Sequence, residues 1–260
     1  MNKKETNEQV VLENLSFFAS AICSTKTSRS RPWRDILSSS EGFLMMEETS
    51  TTAENWAFLP SRTIEKAQVQ EACSFYGKTP FEWLVFPGAE PSYLQTLEDE
   101  GFSSCGKLVA MCGAPQEKCE DTDFTFTKVT TSEEAALWAE IAWQGFNSIP
   151  EVPVSFVNLA LGLCANKDII LMLTERNGLP VGTALISFSA LSAGVYYVST
   201  LPRERRKGAA AATMREIFRI VRGGGPIRRD YIILQATPEG LPLYTSLGFD
   251  SLFSIMLYSR

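Results

Sequence analysis

The fold is indicated most clearly by residues 194–222, GVYYVSTLPRERRKGAAAATMREIFRIVR. Residues 194–200 are β-branched, aromatic or small, which is the composition of a buried strand. Residues 202–208 form a basic turn, and residues 209–222 are strong helix formers followed by glycines. Within this helix, apolar side chains recur at helical spacing at Met214, Ile217, Phe218 and Val221. The stretch therefore predicts a strand, a turn and a helix that packs one face on a sheet.

The turn before this helix has the chemistry of a phosphate site. The first N–H groups of a helix have no partner inside it, and the helix dipole adds partial positive charge there. The side chains of Gly208, Ala209 and Ala210 are absent or small, so a diphosphate could approach the backbone closely. Three cationic side chains precede these residues, those of Arg205, Arg206 and Lys207. A solvated basic turn is the alternative, but the small residues at the helix start favour a phosphate-bearing ligand.

Residues 205–210, RRKGAA, resemble the Arg/Gln-x-x-Gly-x-Gly/Ala acetyl-CoA loop of the GCN5-related N-acetyltransferase (GNAT) family. Residues 200–202, Thr-Leu-Pro, stand at the strand end where that family commonly has Val-x-Pro. Further along, residues 234–238, LQATP, and residues 243–249, LYTSLGF, are similar to the family's last strand and helix. The segments occur in the family's order, each in its expected strand–helix context. The resemblance covers roughly residues 122–260.

The resemblance implies an α+β fold, an α/β sandwich known as the acyl-CoA N-acyltransferase fold. Its sheet is mixed, mostly antiparallel and flanked by helices. Residues 124–260 are predicted to form this domain. Residues 1–115 faintly repeat its element order without a phosphate loop, which predicts a smaller α/β domain that is a degenerate GNAT-like unit. An unrelated accessory domain is the alternative, and the polar residues 116–123 are predicted to be a linker.

The resemblance also implies a site for acetyl-CoA. The loop described above would bind the diphosphate, and the strand end would offer backbone groups to the pantetheine arm at Val198, Ser199 and Thr200. Thr237 stands where the family often has an asparagine that contacts the cofactor. Family members separate this strand from the next one, and Pro238 and Gly240 are consistent with a break in pairing there.

Tyr244 is the candidate general acid, because it stands at the tyrosine of the family's Tyr-x-x-Leu-Gly-Phe segment. A phenol with a pKa of about 10 is suited to protonate a leaving thiolate. The alternative is a tyrosine that packs between helix and sheet with its hydroxyl at the edge. The general base is not identified from the sequence: water and four residues stay open, namely Glu140, Glu151, Tyr196 and Tyr197.

Composition excludes several classes of function. The chain has 260 residues with a net charge of −6, which does not suggest nucleic-acid binding. It contains no histidine, so Ser-His and Cys-His catalysis and most transition-metal sites are excluded, and no metal site is predicted. The six cysteines show no CxxC spacing, which is typical of reduced thiols in a cytoplasmic protein. Neither a signal peptide nor a membrane-spanning segment is expected.

We therefore expect a cytoplasmic N-acetyltransferase that moves the acetyl group of acetyl-CoA directly to a primary amine. The amine would belong to a small molecule or a peptide, and Tyr244 would act as the general acid. One alternative is a CoA-binding regulatory or adaptor protein, a pseudoenzyme with tandem GNAT-like domains. Another is an enzyme that moves a longer acyl group or uses a non-amine acceptor. The sequence leaves the acceptor, the acyl length and a homodimer open.

Overall fold

The computed structural model describes residues 3–25, 29–32, 43–46, 55–59, 61–114, 123–148, 150–224 and 231–260. The strands in these residues are β1 (Arg29–Pro32), β2 (Phe43–Met46), β3 (Trp56–Phe58), β4 (Glu82–Val85), β5 (Ser103–Gly113), β6 (Phe124–Lys128), β7 (Ile169–Arg176), β8 (Leu179–Phe188), β9 (Ala193–Thr200), β10 (Ile232–Ala236) and β11 (Asp250–Ser259). The α-helices are α1 (Lys3–Ser24), α2 (Lys66–Tyr76), α3 (Pro91–Asp99), α4 (Ser132–Asn147), α5 (Val154–Cys164), α6 (Ala209–Arg219) and α7 (Leu241–Ser246). None of the helices in the described ranges is long and apolar enough to span a membrane.

All of these strands join one sheet, in the order β1-β2-β3-β4-β11-β5-β10-β9-β8-β7-β6. The pairs β3–β4 and β9–β10 are parallel. The other neighbouring pairs are antiparallel. A mixed, mostly antiparallel sheet flanked by helices is the fold class that the sequence predicted.

The last strand of each half pairs with the other half. In both halves a parallel strand pair is followed by a short helix and a final strand, which is β5 in the first half and β11 in the second. However, β5 lies between β10 and β11, while β11 lies between β5 and β4. The two halves therefore share one continuous sheet. Most of the proposed linker falls outside the described residues, and the division into two domains stays a prediction.

Helices cover both faces of the second half of the sheet. On one face, which we call the α4/α5 face, Phe18 of α1, Trp138 of α4 and Phe156 of α5 share a core with Tyr196 of β9. On the other, the α6/α7 face, a second core holds residues of the last helices and of the strands beneath them, among them Met214, Ile217, Phe218 and Tyr244. Strand alternation sends successive side chains of β9 and β10 to opposite faces, so both cores meet at these strands.

Helix α1 comes first in the chain but packs on the second half of the sheet. The Asn14 amide donates from Nδ2 to Ser189 Oγ at 3.0 Å, and its Oδ1 accepts from the hydroxyl of Tyr196 at 2.9 Å. Gly194 leaves room for this contact, because a Cβ there would lie 1.9 Å from Asn14 Oδ1. The Phe18 ring stacks on Tyr196 with a centroid distance of 3.9 Å. Helix α1 is thus anchored beside the predicted site.

Candidate active site

Strands β9 and β10 separate towards their carboxyl ends. Their parallel pairing covers three residue pairs and ends at Leu234 and Val195. Residues 196–200 of β9 and residues 235–236 of β10 continue as strands without pairing to each other. We call the space between them the β9–β10 opening. The sequence predicted a break just after Ala236, and the structure places its start earlier, at Gln235.

A bulge in β9 borders this opening. The register with β8 passes from Thr183–Ser199 to Leu185–Tyr196, so Tyr197 and Val198 face a single residue of β8. A bulge bends its strand, and here it lies where β9 turns from β10. Tyr197 has a φ of 49°, in the left-handed region that bulky residues rarely adopt. Its ring packs on the α4/α5 face, 5.5 Å from Trp138 and 5.7 Å from Phe156 between centroids.

The start of α6 is open to an anion. Gly208 is the N-cap with a φ of 92°, and as a glycine it makes no side-chain capping hydrogen bond. The N–H of Ala212 donates to the Gly208 carbonyl at 3.0 Å, so the N–H groups of the preceding helical residues, Ala209 to Ala211, have no partner within the helix. Among the described residues, a Cβ added at Gly208 would come within 4 Å of Phe124 alone, at 3.9 Å. These residues therefore fit the predicted phosphate ligand.

The basic side chains of the loop have different tasks. Arg205 donates from Nη2 to the carbonyl oxygen of Gly145 at 2.7 Å and from Nε to that of Thr200 at 3.3 Å. Lys207 lies 3.2 Å from the carboxylate of Glu204. Arg206 is exposed and has a φ of 63°. Arg205 thus ties the loop to α4 and to the end of β9, a role that the sequence did not indicate.

Glu204 links the loop to the β7–β8 hairpin, because its carboxylate also lies 3.7 Å from Nη1 of Arg176. The Arg176 guanidinium lies over the Phe124 ring, 5.8 Å from its centroid. Neither Glu204 nor Arg176 was a sequence candidate. Their separation in the chain explains this, since only the fold brings the hairpin end to the loop.

Val198, Ser199 and Thr200 form the end of β9, and the Ser199 side chain is directed to α4. The hydroxyl oxygens of Ser199 and Thr183 lie 2.7 Å apart. A Cβ on Gly145 would lie 2.6 Å from Ser199 Oγ, so helix and strand touch closely here. The flanking Val198 and Thr200 are half-buried. Any contact of Ser199 with a ligand would therefore involve its backbone.

Thr237 lies where the chain leaves β10 for α7. Its carbonyl oxygen accepts from the N–H groups of Gly240 at 3.1 Å and Leu241 at 3.0 Å. Its hydroxyl oxygen also accepts from Gly240, at 3.3 Å. Thr237 thus organises the turn into α7 and remains exposed at the end of the β9–β10 opening.

Tyr244 lies in α7 on the α6/α7 face, and 9% of the residue is exposed. Its ring meets Phe249 edge-on with a centroid distance of 5.9 Å. Burial raises the pKa of Tyr244 to about 12, and none of the described residues hydrogen-bonds its hydroxyl. The phenol therefore keeps its proton at neutral pH, as a general acid must.

Tyr196 is poorly suited to be the general base. Burial raises the pKa of its phenol above the usual range, and the hydroxyl already donates to Asn14. Of the other open candidates, Glu140 and Glu151 are exposed, and Tyr197 is half-buried among aromatic rings on the α4/α5 face.

Comparison with known proteins supports the fold. No protein-family model and no curated protein matches the sequence. Among solved structures, a GCN5-related N-acetyltransferase from Kribbella flavida is 17% identical and superposes with a TM-score of 0.60 over 94% of each chain. A GCN5-related N-acetyltransferase-like protein from Streptococcus suis 89/1591 is 13% identical, with a TM-score of 0.58 over 100% of each chain.

A tandem GNAT protein from the clavulanic acid biosynthesis pathway is 10% identical, with a TM-score of 0.54 over 85% of this chain and 78% of that chain. At such identities the likeness concerns the backbone architecture. The sheet order, the separation of β9 from β10 and these superpositions together show that the chain has the acyl-CoA N-acyltransferase (GNAT) fold.

Proposed function

We propose that the chain is an N-acetyltransferase that moves the acetyl group of acetyl-CoA directly to a primary amine of a small-molecule or peptide acceptor. The observation that carries this proposal is the uncapped start of α6 beside the β9–β10 opening. One feature would supply hydrogen-bond donors for a diphosphate, and the other would leave space for an extended arm. The two features adjoin because β9 leads directly into the loop before α6.

Each part of the site has a residue set suited to one part of acetyl-CoA. The N–H groups of Gly208, Ala209 and Ala210 would hold the diphosphate, and Arg206 and Lys207 would add positive charge. Arg205 would act as a positioning residue, because its guanidinium is bound to two carbonyl oxygens. Backbone groups at the end of β9 would bind the pantetheine arm, at Val198, Ser199 and Thr200. Thr237 would border the arm from the β10 side.

Tyr244 would supply the proton that the leaving group needs. Bound acetyl-CoA supplies an acetyl thioester, whose C–S bond breaks as the amine nitrogen forms the new C–N bond. Tyr244 holds a proton at its phenol oxygen, which it can give to the departing sulfur and regain from solvent. The proton lost by the amine passes to solvent or to a base. Holding the two reactants side by side supplies a further large share of the acceleration.

The test combines binding with turnover. Calorimetry should detect CoA and acetyl-CoA, and thiol release should follow when a panel of primary amines is added. We expect Gly208→Ala to weaken CoA binding about tenfold or more, because alanine is strained at a φ of 92° and the loop that presents the N–H groups would have to shift. Gly101→Ala is the matched control, since Gly101 has a φ of 87° and open surroundings in the first half.

Each result has a distinct meaning. Failure of the wild-type chain to bind CoA would refute the proposal. Binding without thiol release across the panel would favour the regulatory or adaptor alternative. An equal loss of affinity in Gly208→Ala and Gly101→Ala would show that the effect is general strain and not a local site.

A further inference from the structure

Gln235 carries a buried amide nitrogen, Nε2, that has no hydrogen-bond partner among the described residues. Such donors are rare in folded proteins, since leaving one unsatisfied is unfavourable. Gln235 directly follows Leu234, the last residue of β10 that pairs with β9. It is therefore the first residue of β10 within the β9–β10 opening.

The side chain of Gln235 lies on the α4/α5 face. Ile233, two residues before it, belongs to the core of that face together with Tyr196. Leu234 and Ala236 belong to the core of the α6/α7 face, which also contains Tyr244. Because side chains alternate along a strand, Gln235 shares the face of Ile233. Gln235 thus lies at the opening on the face of the sheet opposite to the core that contains Tyr244.

Neighbouring side chains on this face do not satisfy the amide. The residue opposite Gln235 on β5 is Ala110, which has no polar side chain. Across the opening, Tyr196 is the next residue of β9, and its hydroxyl donates to Asn14. Helix α1 contacts both β9 and β11, so it crosses this face above the strands between them. The amide is therefore shielded from solvent beside an opening in the sheet.

We infer that Gln235 is a binding residue whose Nε2 donates a hydrogen bond to a carbonyl oxygen of the acyl donor. This inference rests on the proposed function, which places an acyl-CoA in the opening. Two kinds of carbonyl oxygen share the required chemistry, that of the thioester and those of the pantetheine amides. Either would give the buried donor the partner that the described part of the chain does not provide.

The test replaces the amide with an apolar side chain of similar volume, Gln235→Met, with Gln235→Leu as a second variant. Removing an unsatisfied donor should leave the melting temperature of the ligand-free protein unchanged or higher. Affinity for the acyl donor should fall about three- to tenfold, the loss expected for one hydrogen bond. The matched control is Gln95→Met, which removes an exposed glutamine whose amide donates to Asp99 on α3.

CoA and acetyl-CoA distinguish the two oxygens. If the thioester oxygen is the acceptor, the variant loses affinity for acetyl-CoA and keeps that for CoA. If a pantetheine amide is the acceptor, both affinities fall together. Unchanged affinity for both ligands, or a clear fall in the melting temperature of both ligand-free variants, would overturn the inference. A wild-type chain that binds neither ligand would instead refute the proposed function, and the inference with it.

Discussion

Arg205 and Gly145 join the loop before α6 to the end of α4, through a 2.7 Å hydrogen bond from the guanidinium to the carbonyl oxygen. The same side chain also donates to Thr200 at the end of β9. Gly145 can approach so closely because it has no side chain and rests against Ser199. The orientation of the candidate anion site therefore depends on a helix more than fifty residues earlier in the chain.

Arg205→Met should weaken CoA binding about tenfold, since the loop would lose two charge-assisted hydrogen bonds. The loss should change little with salt, because Arg205 acts through the loop. Arg206→Met should instead give a loss that shrinks as salt is added, since screening weakens exposed charges. Calorimetry at low and high salt checks both variants. Arg203→Met is the control, and a loss as large as that of Arg205→Met would contradict the assignment.

Gly145→Ala should destabilise the protein by about 1–3 kcal/mol, the usual effect of overpacking, because its Cβ would lie 2.6 Å from Ser199 Oγ. The variant should also lose CoA affinity, since its carbonyl holds Arg205. Adding Ser199→Gly should relieve the clash and restore much of the stability. Urea unfolding of the two single variants and the double variant measures this coupling. Additive effects would show that the close contact is not the cause.

Tyr244→Phe should lower the rate of acetyl transfer about 10²-fold, while CoA affinity changes little. The wild-type rate should show no alkaline decline from this phenol below pH 10, since burial raises the pKa of Tyr244 to about 12. For stability, the raised pKa means that the contribution of this group is intact below pH 10 and is lost as the pH rises towards 12. Tyr231→Phe, at an exposed tyrosine, is the control. Undiminished turnover at every pH would dismiss the role.

One CoA molecule should bind per chain. In the first half, the helix that follows the first strand of the parallel pair is α2, and its N-cap is Glu65, whose carboxylate would repel a phosphate. Beside the β3–β4 pair, side chains of β4 and α3 bond to each other and to the residue after β3, because Trp83 Nε1 donates to Tyr93 at 2.9 Å and the Tyr93 hydroxyl donates to the Leu59 carbonyl. Calorimetric stoichiometry checks this. A value of two would show that the first half is also a site.

Residues 123–260 expressed alone should fail to form a stable monomer, since β10 and β11 would lose β5 from between them. Unpaired strand edges promote association. Supplying residues 1–114 as a separate chain should restore a one-to-one complex, measurable by size-exclusion chromatography and circular dichroism. A folded monomeric fragment that binds CoA would contradict this expectation and support an independent second domain.

Local patterns in the sequence were sufficient to predict the strands and the helix around the candidate site. The composition of residues 194–200 predicted β9 within one residue. Asn177 and Gly178, a pair typical of hairpin turns, join β7 to β8, and both have positive φ. The helix after the loop is shorter than predicted. It ends at Arg219, and a wider helical turn continues to Gly224. Residue propensities do not reveal such a change in winding.

The remaining features depend on contacts between distant residues. The alternation of polar and apolar residues in β5 and β11 does not indicate which strands they will pair with. Either strand could have paired within the sheet of its own half. The sequence predicts Arg205 beside the phosphate but does not indicate its hydrogen bond to the Gly145 carbonyl, because Gly145 is remote in sequence. Gln235 carried no signal either, because an unsatisfied amide becomes visible only when its surroundings are known.

The crossing of β5 and β11 also affects the order in which the protein can fold during synthesis. Strand β4 is complete once Val85 has left the ribosome, and β3 already flanks it on one side, yet its neighbour on the other side, β11, begins only at Asp250. The first half of the nascent chain therefore keeps an unpaired edge on β4 until β11 has been synthesised. Ribosome pausing or premature termination before Asp250 would leave two incomplete sheets, each exposed to chaperones and proteases.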